Sequence, residues 1–435
     1  MSDPLLIVGA GAFGLSTALH LSKAGYTDIT VFDKDDSVPP KYSAANDLNK
    51  IVRAEYEDDF YSDLTIKAIS AWRTPLFAPY YHQTGFLHCV SKTCPEKAVG
   101  TMKRFWAAAE KHANIRRHVV PINSRQDILD QVWQFQDGPL TGWRGYLNRF
   151  AGYAQSGHAL AAVYRELCKI GVKFRLGPNN EVAQIIYDGA SSNGSKTARG
   201  VKTKDGNFYP AKLVIVAAGA WVSRLIPEIG SQVVAKAWSV AHVKLTDDEA
   251  SMLRNIPVTY ARDLGFFFEP DPKTNLLKLC PMGGGFINSD AKTSVSVPPE
   301  GHARSAFMPA DDERKVRQLL AHTLPALAER PLVNKLLCWF ADTSDSDYII
   351  DYVPRTSSSV VVVSGDSGHG FKMFPIVGSW VTDLLSATDG TQREPRWRWK
   401  MPTAGSSASD WGESVSWRVG ETKEFSSIEA IKSKI

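Results

Sequence analysis

The stretch Leu5-Leu6-Ile7-Val8-Gly9-Ala10-Gly11-Ala12-Phe13-Gly14 decides the fold. A short apolar run ending in glycine reads as a buried strand. Residues 13–24 read as a helix, and Ile29-Thr30-Val31-Phe32-Asp33 as a second strand. Together they form a β-α-β unit. The glycines between strand and helix have the G-x-G-x-x-G spacing, which lets backbone turn tightly against a pyrophosphate seated on the helix N-terminus. Asp33 closes the second strand, where a carboxylate accepts hydrogen bonds from a ribose diol. Strand, glycine turn, helix and terminal acid in register imply a dinucleotide site, without separating FAD from NAD.

Further on, residues 59–73 read as a helix with Phe60, Leu64, Ala68 and Trp72 near one face. Residues 156–170 read as another, leading into the strand Val172–Leu176. Two short strands flank the Asp205-Gly206 turn. Residues 212–218 and 359–364 read as apolar strands, the second running into a glycine loop and then a helix over about 375–387. Thr246-x-x-Glu249 is a capping box. Residues 311–328 read as a helix capped by Asp311, with Val316, Leu319, Leu320 and Leu324 inward. Strands alternating with helices imply a parallel sheet. Stretches at about 86–150 and 233–340 break that alternation. The fold class expected is α/β (α+β, two-domain). A discontinuous Rossmann-type nucleotide domain (1–85, 151–232, 341–390) would be interrupted by a substrate domain with a mixed sheet (86–150, 233–340) and followed by a tail (391–435).

Composition narrows the function. The chain has 435 residues, 43% apolar and 22% charged, which excludes a disordered or fibrous protein. Fifty basic against 46 acidic residues leave a net charge of +4, which gives no support for nucleic-acid binding. The five cysteines are widely spaced with no C-x-x-C, so neither a disulfide framework nor a metal site is expected. The longest apolar stretch, Leu213–Val222, falls well short of the roughly twenty residues a membrane span needs. The N-terminus lacks the basic region of a signal peptide. Ser433-Lys434-Ile435 differs by one conservative change from the Ser-Lys-Leu peroxisomal address, so a peroxisomal location is expected, otherwise a cytoplasmic one.

Later segments choose between the dinucleotides. Ala217-Ala218-Gly219-Ala220-Trp221 and Gly365-Asp366-Ser367-Gly368-His369-Gly370-Phe371-Lys372 each follow a buried strand. With the N-terminal fingerprint they resemble the D-amino-acid oxidase superfamily of FAD enzymes. More narrowly, the chain is similar to the branch holding monomeric sarcosine oxidase and the fructosyl amino acid oxidases (amadoriases). The similarity rests on Ser43-Ala44-Ala45-Asn46-Asp47-Leu48-Asn49-Lys50-Ile51, Gly265-Phe266-Phe267-Phe268-Glu269-Pro270 and Cys338-Trp339-Phe340-Ala341-Asp342-Thr343. It covers about residues 4–390. It implies FAD, a two-domain fold like that of p-hydroxybenzoate hydroxylase, and oxidation of a C–N bond with release of peroxide.

The resemblance also assigns roles. Cys338 aligns with the cysteine that bonds the flavin 8α-methyl carbon; a buried free thiol is the structural alternative. Lys278 aligns with the lysine that faces flavin N5 and activates oxygen, where a cation stabilises superoxide-like charge; a snorkelling surface lysine is the alternative. Gly9, Gly11, Ala12, Phe13, Gly14, Asp33, Lys34, Ser43, Lys50, Gly219, Trp221, Gly368, His369, Gly370, Phe371 and Lys372 are the further residues expected at FAD. Arg53 matches an arginine that pairs with the substrate carboxylate in sarcosine oxidase, and its fork suits that partner. An ion pair with Glu55 or Glu57 is its alternative. Lys372, Phe267 and Phe340 complete the expected substrate contacts.

Two departures stand out. Met282 occupies the place of a sarcosine oxidase histidine, and the Phe266–Phe268 run replaces a tyrosine. Gly283-Gly284-Gly285 reads equally as a pocket loop or a turn. The expected function is therefore FAD-dependent oxidation of secondary amines such as fructosyl amino acids. Hydride passes to flavin N5, the imine hydrolyses, and O2 becomes H2O2. A tailoring oxidase of an N-methyl, saccharopine-like or pipecolate-like amine, with imine cyclisation, is the alternative. An NAD-dependent dehydrogenase leaves Cys338 and the 365–372 loop without a role. Small-molecule amine and O2 are the expected partners, and a monomer the expected state.

Overall fold

β1 (Leu5–Val8) lies inside a six-stranded sheet, between β2 (Ile29–Asp33) and Leu213–Val216. The structure is a computed structural model that describes residues 3–189, 194–400 and 415–432. From edge to edge the strands are Ile349–Tyr352, Val360–Ser364, Leu213–Val216, β1, β2 and Lys173–Leu176. All neighbours are parallel except the first pair. The unbroken apolar run of β1 follows from burial on both sides. Leu5 and Ile7 enter one core, Leu6 and Val8 another, as strands covered on both faces require. The helix α1 (Ala12–Lys23) covers the Ile7 side, against the helix Val377–Ser386.

A second, larger sheet is built around the eleven-residue strand Val234–Lys244. That strand pairs antiparallel with Leu276–Pro281, Phe286–Ile287 and Leu332–Asp342. The sheet continues through Gly265–Phe267, Val258–Ala261, Phe86–Val90, Arg144–Asn148 and Val119–Ile122. Val258–Ala261 runs parallel to Phe86–Val90, so the sheet is mixed, as expected. Its far edge gains Lys423–Glu424, parallel to Phe286–Ile287. Two residues of the expected tail, Lys423 and Glu424, therefore belong to the sheet. The hairpin at Asp205-Gly206 and the Thr246–Glu249 capping box are both present.

One helix end needs correction. The helix expected over 311–328 spans Ala310–Thr323, and its N-cap position is Pro309, not Asp311. Asp311 lies in the first turn and pairs with Arg314 and Lys423. The helix stops early because Leu324 precedes Pro325, and a residue before proline is pushed out of helical conformation. A separate 3-10 turn, Pro325–Leu327, follows. Val316, Leu319, Leu320 and Leu324 are buried as expected. The tripeptide Ser433-Lys434-Ile435 lies outside the described residues. Among those residues, no helix is long and apolar enough to cross a membrane, and no His/Cys/Asp/Glu cluster could hold a metal.

Candidate active site

A cavity of ≈ 610 Å³ runs from the C-terminal end of β1 to the face of the larger sheet. At its first end the chain is shaped by close approach. A Cβ on Gly9, where φ is +113°, would stand 2.3 Å from the Ala217 carbonyl oxygen. One on Gly14 would stand 1.9 Å from the Gly9 oxygen. Gly9 and Gly11 line the cavity, whereas Gly14 sits behind it as the contact between helix and turn. α1 starts at Gly11 without a side-chain cap, leaving its first N–H groups for an anion. Asp33 accepts from the amides of Ala10 (2.8 Å) and Asp35 (2.9 Å), and burial raises its pKa. Lys34 is held between the Tyr42 and Trp221 rings at 4.1 and 3.9 Å, and burial pushes it down to about 8.

The strand Val234–Lys244 assembles the middle of the cavity through its two registers. His242 sits opposite Lys278 on one neighbour, and Trp238 opposite Cys338 on the other. Lys278 is 1% exposed, which excludes a snorkelling surface lysine. Its Nζ donates to the Asn49 carbonyl at 2.7 Å and lies 2.5 Å from an Asp47 carboxylate oxygen. Lys50 reaches the same oxygen at 2.8 Å. Burial alone would raise Asp47, but the two ammonium groups more than offset it and hold the carboxyl far below its ordinary range. Cys338 Sγ faces the cavity 3.8 Å from the Ala44 carbonyl, with burial raising its pKa and Lys50 opposing that rise. Trp238 Nε1 and Ser364 Oγ, on residues that line the cavity, are buried without a partner.

The glycine loop closes on this strand. A Cβ on Gly368 would meet Trp238 at 2.2 Å, and the Ser367 amide donates to Ala341 at 2.8 Å. The loop thereby brings Gly368, His369, Phe371 and Lys372 to the cavity wall, while Gly370 stands behind against Phe13 and Asp366. Lys372 Nζ donates to the Tyr56 hydroxyl at 2.6 Å. That hydroxyl lies 3.1 Å from His369 Nδ1. His369 Nε2 donates to the Ser346 carbonyl at 2.8 Å, so Nδ1 is the acceptor. Burial, with Lys372 nearby, holds His369 neutral with a pKa of about 3. Burial and Arg53 likewise push Lys372 well down.

Arg53 does not form the ion pair considered from sequence. Its guanidinium donates to the Glu55 carbonyl and lies over the Phe105 ring at 4.5 Å. The Glu55 carboxylate is bound instead by Asn148 and Tyr146, and that of Glu57 by Arg104 and Ser416. Arg53 thus faces the cavity with Lys372.

The expected residues Ala12, Phe13, Ser43, Lys50, Gly219, Trp221 and Phe340 also line the same cavity. Phe267 does not. Alternation along Gly265–Phe267 turns it into the opposite core, 5.9 Å from the Phe135 ring, and it is Phe266 and Phe268 that reach the cavity. Four contributors carried no assigned role in the sequence reading: Tyr56, Asp47, Arg262 and the segment Trp417-Arg418. Asp47 lies inside a quoted motif. The others are isolated polar or aromatic residues whose meaning comes from what they touch. Gly283-Gly284-Gly285 is a seat for the chain end: a Cβ on Gly284 would stand 2.2 Å from the Glu421 oxygen.

These features fit a flavin dinucleotide. The glycine turn and uncapped helix suit a pyrophosphate, Asp33 a ribose, and the unpartnered Trp238 and Ser364 a polar ring edge. The comparisons agree. The FAD dependent oxidoreductase (DAO) family matches residues 5–384. L-saccharopine oxidase of Schizosaccharomyces pombe is 32% identical, over 92% of this chain and 94% of its own. Among solved structures, fructosamine oxidase (Amadoriase II) of Aspergillus fumigatus superposes with a TM-score of 0.85 at 31% identity, covering 98% of this chain and 96% of that one. Fructosyl peptide oxidase from E. terrenum gives 0.86 at 30%, covering 98% and 97%. A glycine turn, a buried acid at the end of β2 and a family match along most of the sequence lead to one conclusion: the chain is an FAD-dependent amine or amino acid oxidase of the DAO family.

Proposed function

We propose that the protein oxidises secondary α-amino acids at the C–N bond, reduces O2 to H2O2, and carries its FAD bonded through Cys338. The observation that carries this reading is a cavity lined by Gly9, Gly11, Lys278, Cys338, Arg53 and Lys372 together. Bound FAD supplies the hydride acceptor and the means of reducing O2. The chain's own part is positioning and electrostatics. Arg53 and Lys372 grip the α-carboxylate, Arg53 through a two-toothed fork. Tyr260, Phe266 and Phe268 strip water from the amine, which lowers its pKa and favours the neutral, reactive form. No side-chain base is required. Lys278, fixed by Asp47 and the Asn49 carbonyl, presents its ammonium group where reduced oxygen would gather negative charge. The imine leaves and hydrolyses in water. Fructosyl, saccharopine-like and N-methyl amines all meet these requirements. Peroxide release would give a peroxisomal location a chemical reason.

The test is anaerobic mixing of the yellow holoprotein with fructosyl-lysine, fructosyl-valine, saccharopine, pipecolate, sarcosine and N-methyl-tyrosine. Loss of flavin absorbance with at least one, and peroxide on readmitting air, is expected. Acid precipitation of the wild type leaves the colour on the polypeptide, and of Cys338→Ala leaves it in solution. Retained flavin that none of the panel bleaches would sink the assigned substrate class.

A further inference from the structure

Arg262 has no part in the reading above, yet it lines the same cavity at 2% exposure. It stands at the turn between Val258–Ala261 and Gly265–Phe267. Its Nη1 donates to the Tyr260 hydroxyl at 3.2 Å and its Nη2 to the Trp417 carbonyl. Its Nε is buried with no partner. The nearby acids are committed elsewhere: Asp263 takes the Ser91 amide and hydroxyl, Glu57 takes Arg104, and Glu55 takes Asn148 and Tyr146. Arg53 is equally without a carboxylate, and the two guanidinium carbons lie 4.5 and 5.6 Å from the centroid of the same Phe105 ring. Burial, and the like charge of Arg53, depress the Arg262 pKa.

Two like charges beside one cavity, Arg262 buried with an N–H still open and Arg53 half-buried, are costly unless an anion arrives with the ligand. Arg53 and Lys372 account for one carboxylate. A guanidinium left over calls for another planar, two-oxygen acceptor.

We propose that Arg262 binds a second carboxylate of the substrate, so that the preferred amines are N-substituted amino dicarboxylic acids. This rests on the oxidase reading above and narrows it.

The test compares N-methyl-L-glutamate with N-methyl-L-glutamine, which differ only in that second group. We expect kcat/KM at least about tenfold higher for the glutamate compound, because a site built for a charged partner rejects its neutral isostere. In Arg262→Gln the preference collapses toward unity, and Arg262→Lys restores part of it. Flavin content and melting temperature check the fold of each variant. A non-turnover arm uses glutarate against butyrate as ligands of the oxidised holoprotein. Glutarate is expected to perturb the flavin spectrum at lower concentration, an advantage lost in Arg262→Gln. Equal kcat/KM for the pair, equal effects of the two acids, or a variant that weakens both compounds alike would overturn the proposal. The last result would make Arg262 a holder of the Trp417 segment. Oxidation of sarcosine or pipecolate with no advantage for a second carboxylate would overturn it while leaving the oxidase reading intact. Absence of bleaching by any amine would remove the oxidase reading, and the glutarate arm would still decide on Arg262.

Discussion

Asp47 holds two ammonium groups on one carboxylate oxygen, and that sharing fixes Lys278 in the place proposed for oxygen activation. A lone buried lysine would shed its proton to escape the cost of burial. Lys278 is paired with Asp47 and donates to the Asn49 carbonyl, which fixes its ammonium group. Replacing it by methionine should separate two steps that share the cavity. Anaerobic bleaching by substrate should change little, whereas reoxidation by O2 should slow on the order of 10²–10³-fold, as for loss of one aimed charge. Stopped-flow traces of the two half-reactions check this, and equal slowing of both would remove Lys278 from the oxygen step. Lys278 was legible in sequence because a lysine inside Leu276–Pro281 breaks an apolar run. Arg262 was not, because a charged residue at a strand end looks like any turn. The phase of Phe266–Phe268 was also hidden: three successive phenylalanines contain no polar partner to show which face is buried.

At the scale of elements, sequence conveys contiguous units far better than distant pairings. The β1–α1–β2 unit is one uninterrupted segment, with period, glycines and terminal acid all in order. The registers that bring Lys278 and Cys338 beside one strand join residues far apart in the chain. No local pattern specifies them. The seat at Gly284 belongs to the same class of contact. Gly284→Ala would drive a Cβ into the Glu421 oxygen, which lies 2.2 Å from its ideal position. At Gly283 the first neighbour is Lys315 Nζ at 3.7 Å, so an alanine fits. Limited proteolysis should therefore cut Gly284→Ala before Lys423 about tenfold faster than wild type, consistent with loss of a packed backbone contact. Gly283→Ala should resist like wild type. Equal resistance of both variants would show that the chain end is held elsewhere.

For the whole molecule, buried histidines lower stability in acid, against buried carboxyls such as Asp366, pushed up to about 6, that act in the opposite direction. Burial is the main cause holding His20, His82, His88, His242 and His369 below the ordinary value of 6.5. His88 Nε2 has no hydrogen-bond partner, so a new proton on that nitrogen would find no fixed acceptor. Below about pH 6.5 the unfolded chain takes up protons that the folded chain refuses. The stability these groups contribute is therefore complete above that pH and is lost as pH falls toward the depressed values, about 3 for His369. The urea midpoint should be level between pH 8 and 7 and drop steadily from 6.5 to 5. His88, which burial holds well below the ordinary value, should contribute most to the drop, so the slope should be shallower in His88→Asn. A midpoint that rises on acidification would contradict these assignments.

The segment from Ser416 to Glu424 has a consequence in time. Its Trp417 carbonyl receives Arg262, its Arg418 grips Asp342, and its last two residues complete the large sheet. On a ribosome this is the part of the described wall that emerges last. Every other element of the chamber exists first, with the amine side still open to solvent. The cavity wall is thus complete only when the chain through Glu424 has emerged and folded, so a product cut short before Ser416 lacks the Trp417 and Arg418 partners of Arg262 and Asp342.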